Sequence, residues 1–226
     1  MTPLRRGLVI AVGALAVCAA GCNVLSLPFF IFGPEPTAEP SMARLATDDK
    51  DQKIRVAVIA SSSIDVRSEL TRVDRELSAL VVKHLGELCK YNEENVVVTP
   101  VNTVERYKSE HPDWDRPLDL VRIGKDLKVR YVIYLEINAL SLYVPKSNNQ
   151  LYQGESDIKV TLVNVKKPDD MPEEDPSFHE VFPESPISTF DDPNPIAFRH
   201  KYLDHVAEKI AWKFTKHPTK KDYQAQ

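Results

Sequence analysis

The chain opens with a segment that decides how much of it can belong to a folded domain. Residues 5–22 read RRGLVIAVGALAVCAAGC, in which Arg5 and Arg6 precede an apolar run that ends in small residues before Cys22. A positively charged start, an apolar stretch and a small-residue cleavage site are the three parts of a secretory signal peptide. We therefore predict that residues 1–21 are removed and contribute nothing to the fold.

The residues at the predicted cleavage point, Ala20, Gly21 and Cys22, resemble the lipobox of bacterial lipoproteins. In that family the signal is cut between the glycine and the cysteine, and the cysteine carries lipid on its sulfur and its amine. The resemblance implies cleavage between Gly21 and Cys22 and a diacylglycerol and palmitate anchor on Cys22, which would hold the protein to the lipid bilayer. It also implies a domain that faces the periplasm, and it favours the outer membrane over the inner one.

Two alternatives use the same residues differently. Apolar residues resume at positions 24–32, VLSLPFFIF, so that Leu8–Phe32 approaches the length of a membrane span, which needs about 20 residues. However, Asn23 and Ser26 interrupt the second half, and Pro28 would break a helix. We prefer the lipoprotein interpretation to an uncleaved span and to ordinary secretion.

Charge and cysteine content exclude two classes of protein. The net charge of −4 becomes −6 once Arg5 and Arg6 leave with the signal, whereas a nucleic-acid-binding protein needs a basic face. If Cys18 is also removed and Cys22 carries lipid, Cys89 is alone and the chain has no disulfide framework. Because Cys89 ends an apolar helical pattern, we expect a small buried hydrophobe and not a nucleophile.

The remaining chain divides into a spacer, a domain and a tail. Residues 22–53 include GPEPTAEPSMARLATDDKDQ, a Pro-rich stretch typical of a semi-rigid tether. Residues 54–217 are predicted to form one domain of ordinary size, and residues 218–226 a polar tail.

Apolar periodicity within residues 54–217 predicts the element order β-α-β-α-α-β-β-β-α. The predicted elements are a strand at 54–60, a helix at about 65–90, a strand at 95–99, a short helix capped by Asn102-x-x-Glu105, a helix at 118–127, strands at 129–143 and 151–165, a short strand at 178–182, and a helix from Asn194-Pro195 whose apolar line is Ile196, Leu203, Val206, Ile210 and Phe214. The two long strands indicate an antiparallel hairpin. The expected fold class is α/β (α+β), a single sandwich of four to five mixed strands with helices packed on the sheet.

Residues 121–137, VRIGKDLKVRYVIYLEI, resemble the pattern (a)xxIGkxLgaDyvIxgxI of a recurrent bacterial envelope module. That module includes the amino-terminal domain of the Tol-system propeller protein (TolB), the curli-secretion lipoprotein (CsgG) and the outer-membrane activators of penicillin-binding proteins (LpoB). The resemblance implies helices against a sheet over about residues 54–216, and an interaction role rather than catalysis.

No motif predicts chemistry. Ser61–Ser63 follow a strand but lack a G-x-S-x-G elbow, and His200 and His205 lack the H-E-x-x-H spacing of a zinc site. The acidic residues of 166–177 lack the EF-hand order, which predicts a solvated loop, and the few glycines of the domain form no phosphate-binding loop. Trp114 is expected to cover the core instead of making an exposed contact. We therefore predict no catalytic, metal or cofactor site.

The predicted function is that of a membrane-anchored, non-catalytic interaction or assembly module whose partners are other envelope proteins. The candidate binding surface consists of the two long strands and the loops between them. The alternatives are a ligand-capturing lipoprotein of a transport system, which usually needs a cleft between two domains, and a surface-anchored hydrolase, which needs a nucleophile beside a base.

Overall fold

A computed structural model describes residues 37–47, 49, 52–62, 70, 72–191 and 194–219. The predicted cleavage and lipidation residues, Gly21 and Cys22, lie outside the described residues. Residues Thr37–Pro218 form a compact unit. Within the described part of the chain, no helix is both long and apolar enough to cross a bilayer.

The unit contains seven strands and four helices among its described residues. In chain order these are β1 (Thr37–Ala38), β2 (Ile54–Ser62), α1 (Val73–Tyr91), β3 (Val96–Val98), α2 (Val101–Glu110), α3 (Leu120–Asp126), β4 (Tyr131–Tyr143), β5 (Leu151–Asn164), β6 (Glu173–Ser188), α4 (Pro195–Ala211) and β7 (His217–Pro218). From β2 to α4 this is the predicted order, and the predicted α/β fold class is confirmed.

The main sheet has five strands in the order β3-β2-β4-β5-β6. β2 runs parallel to β3 and to β4, whereas β4, β5 and β6 form an antiparallel meander. The predicted hairpin of two long strands is therefore confirmed, with Ile133 opposite Leu162. β1 and β7 pair separately as a small antiparallel sheet.

One face of the main sheet is covered by α1 and α4. Leu77, Val81 and Leu85 of α1 belong to the same buried cluster as Leu203, Val206 and Ile210 of α4, and the sheet contributes Val58, Leu135 and Val160. All of these side chains are fully buried. Burial of each contributes roughly 1.5–3 kcal/mol, so this cluster is the main core of the domain.

The opposite face is covered only in part, by α2 and α3. Val104 and Ile123 of these helices pack on Ile59, Val132 and Tyr134. In the sequence around β4, Arg130, Val132, Tyr134 and Glu136 alternate with apolar residues and predict a more polar face, but Val132 and Tyr134 are buried on it. The face becomes solvent-accessible from Glu136 onward, where the helices no longer cover it.

The structure corrects two predicted element boundaries. Arg72 has a left-handed backbone (φ 63°) and α1 begins at Val73, so the helix does not extend back to residue 65 as predicted. β6 covers 16 residues, whereas only 178–182 were predicted as strand and much of 166–177 as a solvated loop. As an edge strand, β6 tolerates prolines that a central strand would exclude.

One predicted helix cap and one predicted buried residue are also wrong. α2 begins at Val101 after Pro100, without a side-chain cap, so that Asn102 lies inside the helix. Ile196, predicted to pack inward from α4, is 77% exposed.

Part of the predicted tether packs against the domain. Leu45 is fully buried in the main core, and its backbone N–H donates to the carbonyl of Phe214 at 3.2 Å. The amides of Met42 and Ala43 both donate to the carbonyl of Lys213. The compact unit therefore begins at Thr37 and not at residue 54, and this stretch cannot act as a spacer.

Candidate functional site at the turn end of the sheet

The domain has two opposite ends along α4. The end that holds β1, β7 and the last residues of α1 and α4 is called the β1–β7 end. The turn end holds the β4–β5 turn at 144–150, the end of β6 and the first turn of α4. The predicted binding surface, the two long strands and the loops between them, includes the turn end.

The β4–β5 turn is closed by local backbone hydrogen bonds. Val144 N–H donates to the carbonyl of Leu151 at 3.0 Å, and Gln150 N–H donates to that of Ser147 at 3.0 Å. Lys146, Asn148 and Asn149 adopt positive φ angles of 64°, 52° and 61°, a conformation that asparagine tolerates better than most residues. The turn, together with Leu70 and the end of β4, lines a cavity of about 280 Å³.

Beside this turn, large apolar side chains face solvent. Phe190 is 83% exposed, Ile196 is 77% exposed and Leu151 is 36% exposed. Leu151 pairs with Ser188 of β6, whose hydroxyl accepts a hydrogen bond from the Phe190 amide at 3.2 Å. The first turn of α4 therefore joins the end of β6 in presenting apolar groups to water.

An aromatic stack lies next to these residues, with Tyr152 and Phe198 buried and Tyr143 partly buried. Tyr143 stacks on Tyr152 with ring centroids 5.2 Å apart, and Tyr152 stacks on Phe198 at 4.6 Å. The Asn194 side chain accepts hydrogen bonds from the amides of Ile196 and Ala197, both at 3.1 Å, which fixes the start of α4. The backbone of Ile196 is thus fixed two residues before Phe198, which is buried in the core.

Ser61, the first of the three serines considered as a nucleophile, lies at the carboxyl end of β2 and not at the turn end. Its hydroxyl is 2.6 Å from the phenol oxygen of Tyr134. Burial raises the pKa of Tyr134, so the phenol keeps its proton at neutral pH and cannot act as a base toward Ser61. The Ser61–Tyr134 pair is therefore not an activated nucleophile.

Nearby, Lys108 is held by several partners. Its ammonium donates to the carbonyl of Ala60 at 2.8 Å and lies 3.2 Å from Glu105. It also sits 5.1 Å from the ring centre of Trp114, which packs half-buried on the second core. The predicted role of Trp114 as a cover of the core is confirmed. Lys108 stabilises the fold through these contacts.

His200 and His205, the two histidines that lacked zinc-site spacing in the sequence, have different surroundings. His200 is exposed, whereas His205 lies 2.8 Å from a carboxylate oxygen of Glu180 and stacks on Phe182. Among the described residues, no group of three or more His, Cys, Asp or Glu side chains converges as a metal site would require.

Sequence reasoning missed the exposed apolar residues of the turn end. Phe190 offers a signal, because a phenylalanine in the polar stretch ISTFDDPN has no apolar periodicity to explain it. Ile196 offers none, because it stands one heptad before Leu203 and continues the apolar line of α4.

Comparison with solved structures returns bacterial proteins of low sequence identity. A PelC dodecamer from Paraburkholderia phytofirmans is 10% identical, with 80% of this chain and 98% of that chain covered and a TM-score of 0.43. A hypothetical protein from Chlamydia trachomatis is 12% identical over 72% and 98% of the two chains, with a TM-score of 0.39. A lipoprotein from Neisseria meningitidis is 12% identical over 70% and 98%, with a TM-score of 0.37.

No protein-family model matches the sequence, and no curated protein matches it significantly. What the fold and the candidate site define is a mixed α/β domain with an exposed apolar surface at one end. The more specific resemblance to the TolB, CsgG and LpoB modules stays a prediction.

Proposed function

We propose that the protein is a bacterial lipoprotein, anchored through Cys22, whose domain binds another protein of the cell envelope without catalysing a reaction. The observation that carries this proposal is the exposure of three large apolar side chains, Phe190, Ile196 and Leu151, at the turn end. Large apolar side chains concentrated at one end of a domain and facing water can mark a protein-binding site.

The position of this surface suits an anchored protein. The chain enters the domain at Thr37, which pairs with Pro218 beyond the last turn of α4. Ile196 lies in the first turn of the same helix, which has 17 residues and is therefore about 25 Å long. A chain that leads from an anchor to Thr37 would therefore join the domain at the end opposite Ile196.

The two alternative functions have weaker support. The cavity at the β4–β5 turn, about 280 Å³, lies near the lower end of the roughly 300–1,000 Å³ usual for small-molecule sites, so it gives a ligand-capturing protein no particular support. A hydrolase would need a base beside its nucleophile, and Tyr134 does not supply one to Ser61.

Site-specific photo-crosslinking in cells tests the binding surface. A photoreactive residue at position 190 should give a discrete crosslinked protein, and the product should disappear when Ile196→Asp is added. The matched control position is Glu155, whose side chain is 50% exposed on the uncovered face of the sheet. Equal products from positions 190 and 155 would contradict a partner site at the turn end.

The anchor is tested separately with labelled palmitate. Wild-type protein should incorporate the label, while Cys22→Ser, which removes the sulfur that accepts the lipid, should incorporate none and keep its signal segment. Absence of label in the wild type would contradict the lipoprotein interpretation and favour an uncleaved membrane span or ordinary secretion.

A further inference from the structure

Phenylalanine and isoleucine at the turn end are not the only large side chains that face solvent. At the β1–β7 end, Tyr91 is 67% exposed and Met171 is 91% exposed. The half-buried Trp212 stands at the same end, just after α4, and His217 stacks on one face of its ring at 4.6 Å. The ammonium of Lys209 sits 4.3 Å from the Trp212 ring centre, and exposed Lys90 precedes Tyr91 at the end of α1. We call Tyr91, Met171, Trp212, Lys209 and Lys90 the aromatic–lysine surface.

Hydrogen bonds show that these residues belong to one end of the domain. Asn92, which follows Tyr91, donates from its amide to the Thr215 hydroxyl at 3.0 Å and to the Lys216 carbonyl at 2.7 Å. The loop that carries Met171 follows β5, whose last residue pairs with the first residue of β4. The first residues of β6, which follow that loop, are tied to the end of α4 by Lys213, whose ammonium lies 2.7 Å from Asp175.

The same end receives the chain from its amino-terminal side. β1 pairs with β7, Lys216 lies 2.7 Å from Glu39, and Arg44 lies 3.4 Å from Glu94. These contacts fix Thr37 at the β1–β7 end. Only residues 22–36 are then left between Cys22 and the domain, and even fully extended they span at most roughly 50 Å.

From this placement we propose that the aromatic–lysine surface lies on the phospholipid headgroups of the membrane that holds the anchor. This inference rests on the proposed lipid anchor at Cys22. Tyrosine and tryptophan rings have an apolar body and a polar tip and concentrate at membrane interfaces. The stem of the exposed Lys90 can lie along apolar surface while its ammonium reaches the headgroup phosphate.

The charges of this end favour contact through the rings. Lys213, Lys216 and Arg44 each pair with a carboxylate of the domain, so they are not available as an unbalanced basic patch. Since long-range attraction to anionic lipid is then small, the contact should depend little on ionic strength. A binding mode that salt abolishes would therefore contradict the proposal.

The two tryptophans of the chain provide built-in reporters. Trp212 lies on the proposed surface. Trp114 lies far from it, because its ring is 5.1 Å from the Lys108 ammonium, which donates to the carbonyl of Ala60. Ala60 stands six residues after Ile54, the first residue of β2. Six strand residues correspond to about 20 Å. Trp114→Phe leaves Trp212 as the single reporter, and Trp212→Phe leaves Trp114.

The experiment uses mature protein, purified from membranes and reconstituted into phosphatidylcholine vesicles whose acyl chains carry bromine, a quencher of tryptophan emission. Trp212 emission should fall relative to unbrominated vesicles, and should stay low in high salt, while Trp114 emission should not change. Thermal unfolding of both single-tryptophan variants confirms that they are folded.

A pair of matched variants then tests the surface itself. Tyr91→Glu with Met171→Glu should restore Trp212 emission, whereas Phe190→Glu with Ile196→Glu, the same change at the turn end, should not. Equal quenching of Trp114 and Trp212, or quenching of neither in protein that floats with the vesicles, would overturn the proposal. Burial of Trp212 by self-association without vesicles would also overturn it, since a second copy would then cover this surface.

Flotation separates this proposal from the anchor on which it rests. Protein that does not float with the vesicles would contradict the anchor at Cys22, and the membrane contact would fail with it. Protein that floats while Trp212 is unquenched would leave the anchor standing and refute only the orientation.

Discussion

The Cys89 thiol lies at the end of α1, where 1% of the residue is exposed. Burial, followed by the nearby Glu94 carboxylate, raises its pKa to about 12. The Glu94 side chain is itself only 2% exposed and accepts a hydrogen bond from the Thr215 hydroxyl at 2.6 Å. The predicted buried position of Cys89 is confirmed, and its surroundings keep the thiol protonated at neutral pH.

We expect native Cys89 to react with thiol reagents only when the domain unfolds. A fragment of residues 37–226 contains no other cysteine, so its labelling rate measures this site directly and should rise only in denaturant. Because the folded pKa is raised, the unfolded chain loses the thiol proton first, and stability should fall as pH rises from about 9 toward 12. Cys89→Ala should show a weaker pH dependence, and fast labelling of the native fragment would refute the assignment.

Glycine at position 154 allows a ring to lie directly on the sheet. A Cβ atom there would stand 2.3 Å from Cδ2 of Tyr202, whose buried phenol donates to the Glu180 carbonyl at 3.2 Å. Gly154→Ala should therefore destabilise the domain by about 1–3 kcal/mol, the usual cost of overpacking.

Chemical denaturation of the purified domain measures this effect, and Gly86→Ala is the matched control. A Cβ at Gly86 meets nothing within 4 Å, and the position lies inside α1. That substitution should stabilise the domain by roughly 0.5–1 kcal/mol, because alanine favours helix more than glycine. Similar effects of the two substitutions would show that Tyr202 can move aside.

At the scale of the element, two asparagines illustrate when a capping signal is used. Both Asn102 and Asn194 precede apolar helical patterns, and both were predicted to cap a helix. Only Asn194 does so, whereas Asn102 stands inside α2 and its side chain accepts a hydrogen bond from Arg75 at 3.3 Å.

Asn194→Ala should cost about 1 kcal/mol of stability, since two amides at the start of α4 lose their acceptor. Asn194→Ser keeps an acceptor and should stay within a few tenths of a kcal/mol of the wild type. Asn102→Ala should change stability little, because its hydrogen bond is exposed. Equal losses at the two positions in urea titrations would contradict this distinction.

At the scale of the whole molecule, the segment before β2 is part of the domain. Leu45 occupies the main core and Arg44 reaches the buried carboxylate of Glu94. A fragment of residues 54–226 should consequently be less stable than one of residues 37–226, by at least about 2 kcal/mol, the low end of losses for an emptied leucine site.

The midpoint of thermal or chemical unfolding compares these fragments. Leu45→Ala in the longer fragment should reproduce much of the difference, which separates the buried side chain from the backbone pairing of β1 with β7. If the two fragments unfold at the same midpoint, the segment packs without contributing to stability.

The sequence alone determined the features that local patterns encode. Periodicity gave the element order, because an amphipathic helix repeats every 3.6 residues and a strand every two whatever lies around it. The Asn194-Pro195 start of α4 was predictable for the same reason, since a cap satisfies amides only two and three residues away. The lipobox-like residues ending in Cys22 are also a local pattern, and they still predict the anchor.

Only the tertiary structure decided what depends on residues distant in the chain. β6 is polar and rich in proline, and it is a strand because β5 offers it an edge. Val132 and Tyr134 are buried because α2 and α3 cover that half of the sheet, and Leu45 is buried because the end of α4 accepts its backbone. Ile196 continues an apolar line yet faces water, because the sheet covers the side of the first turn of α4 that carries Phe198 and not the side that carries Ile196.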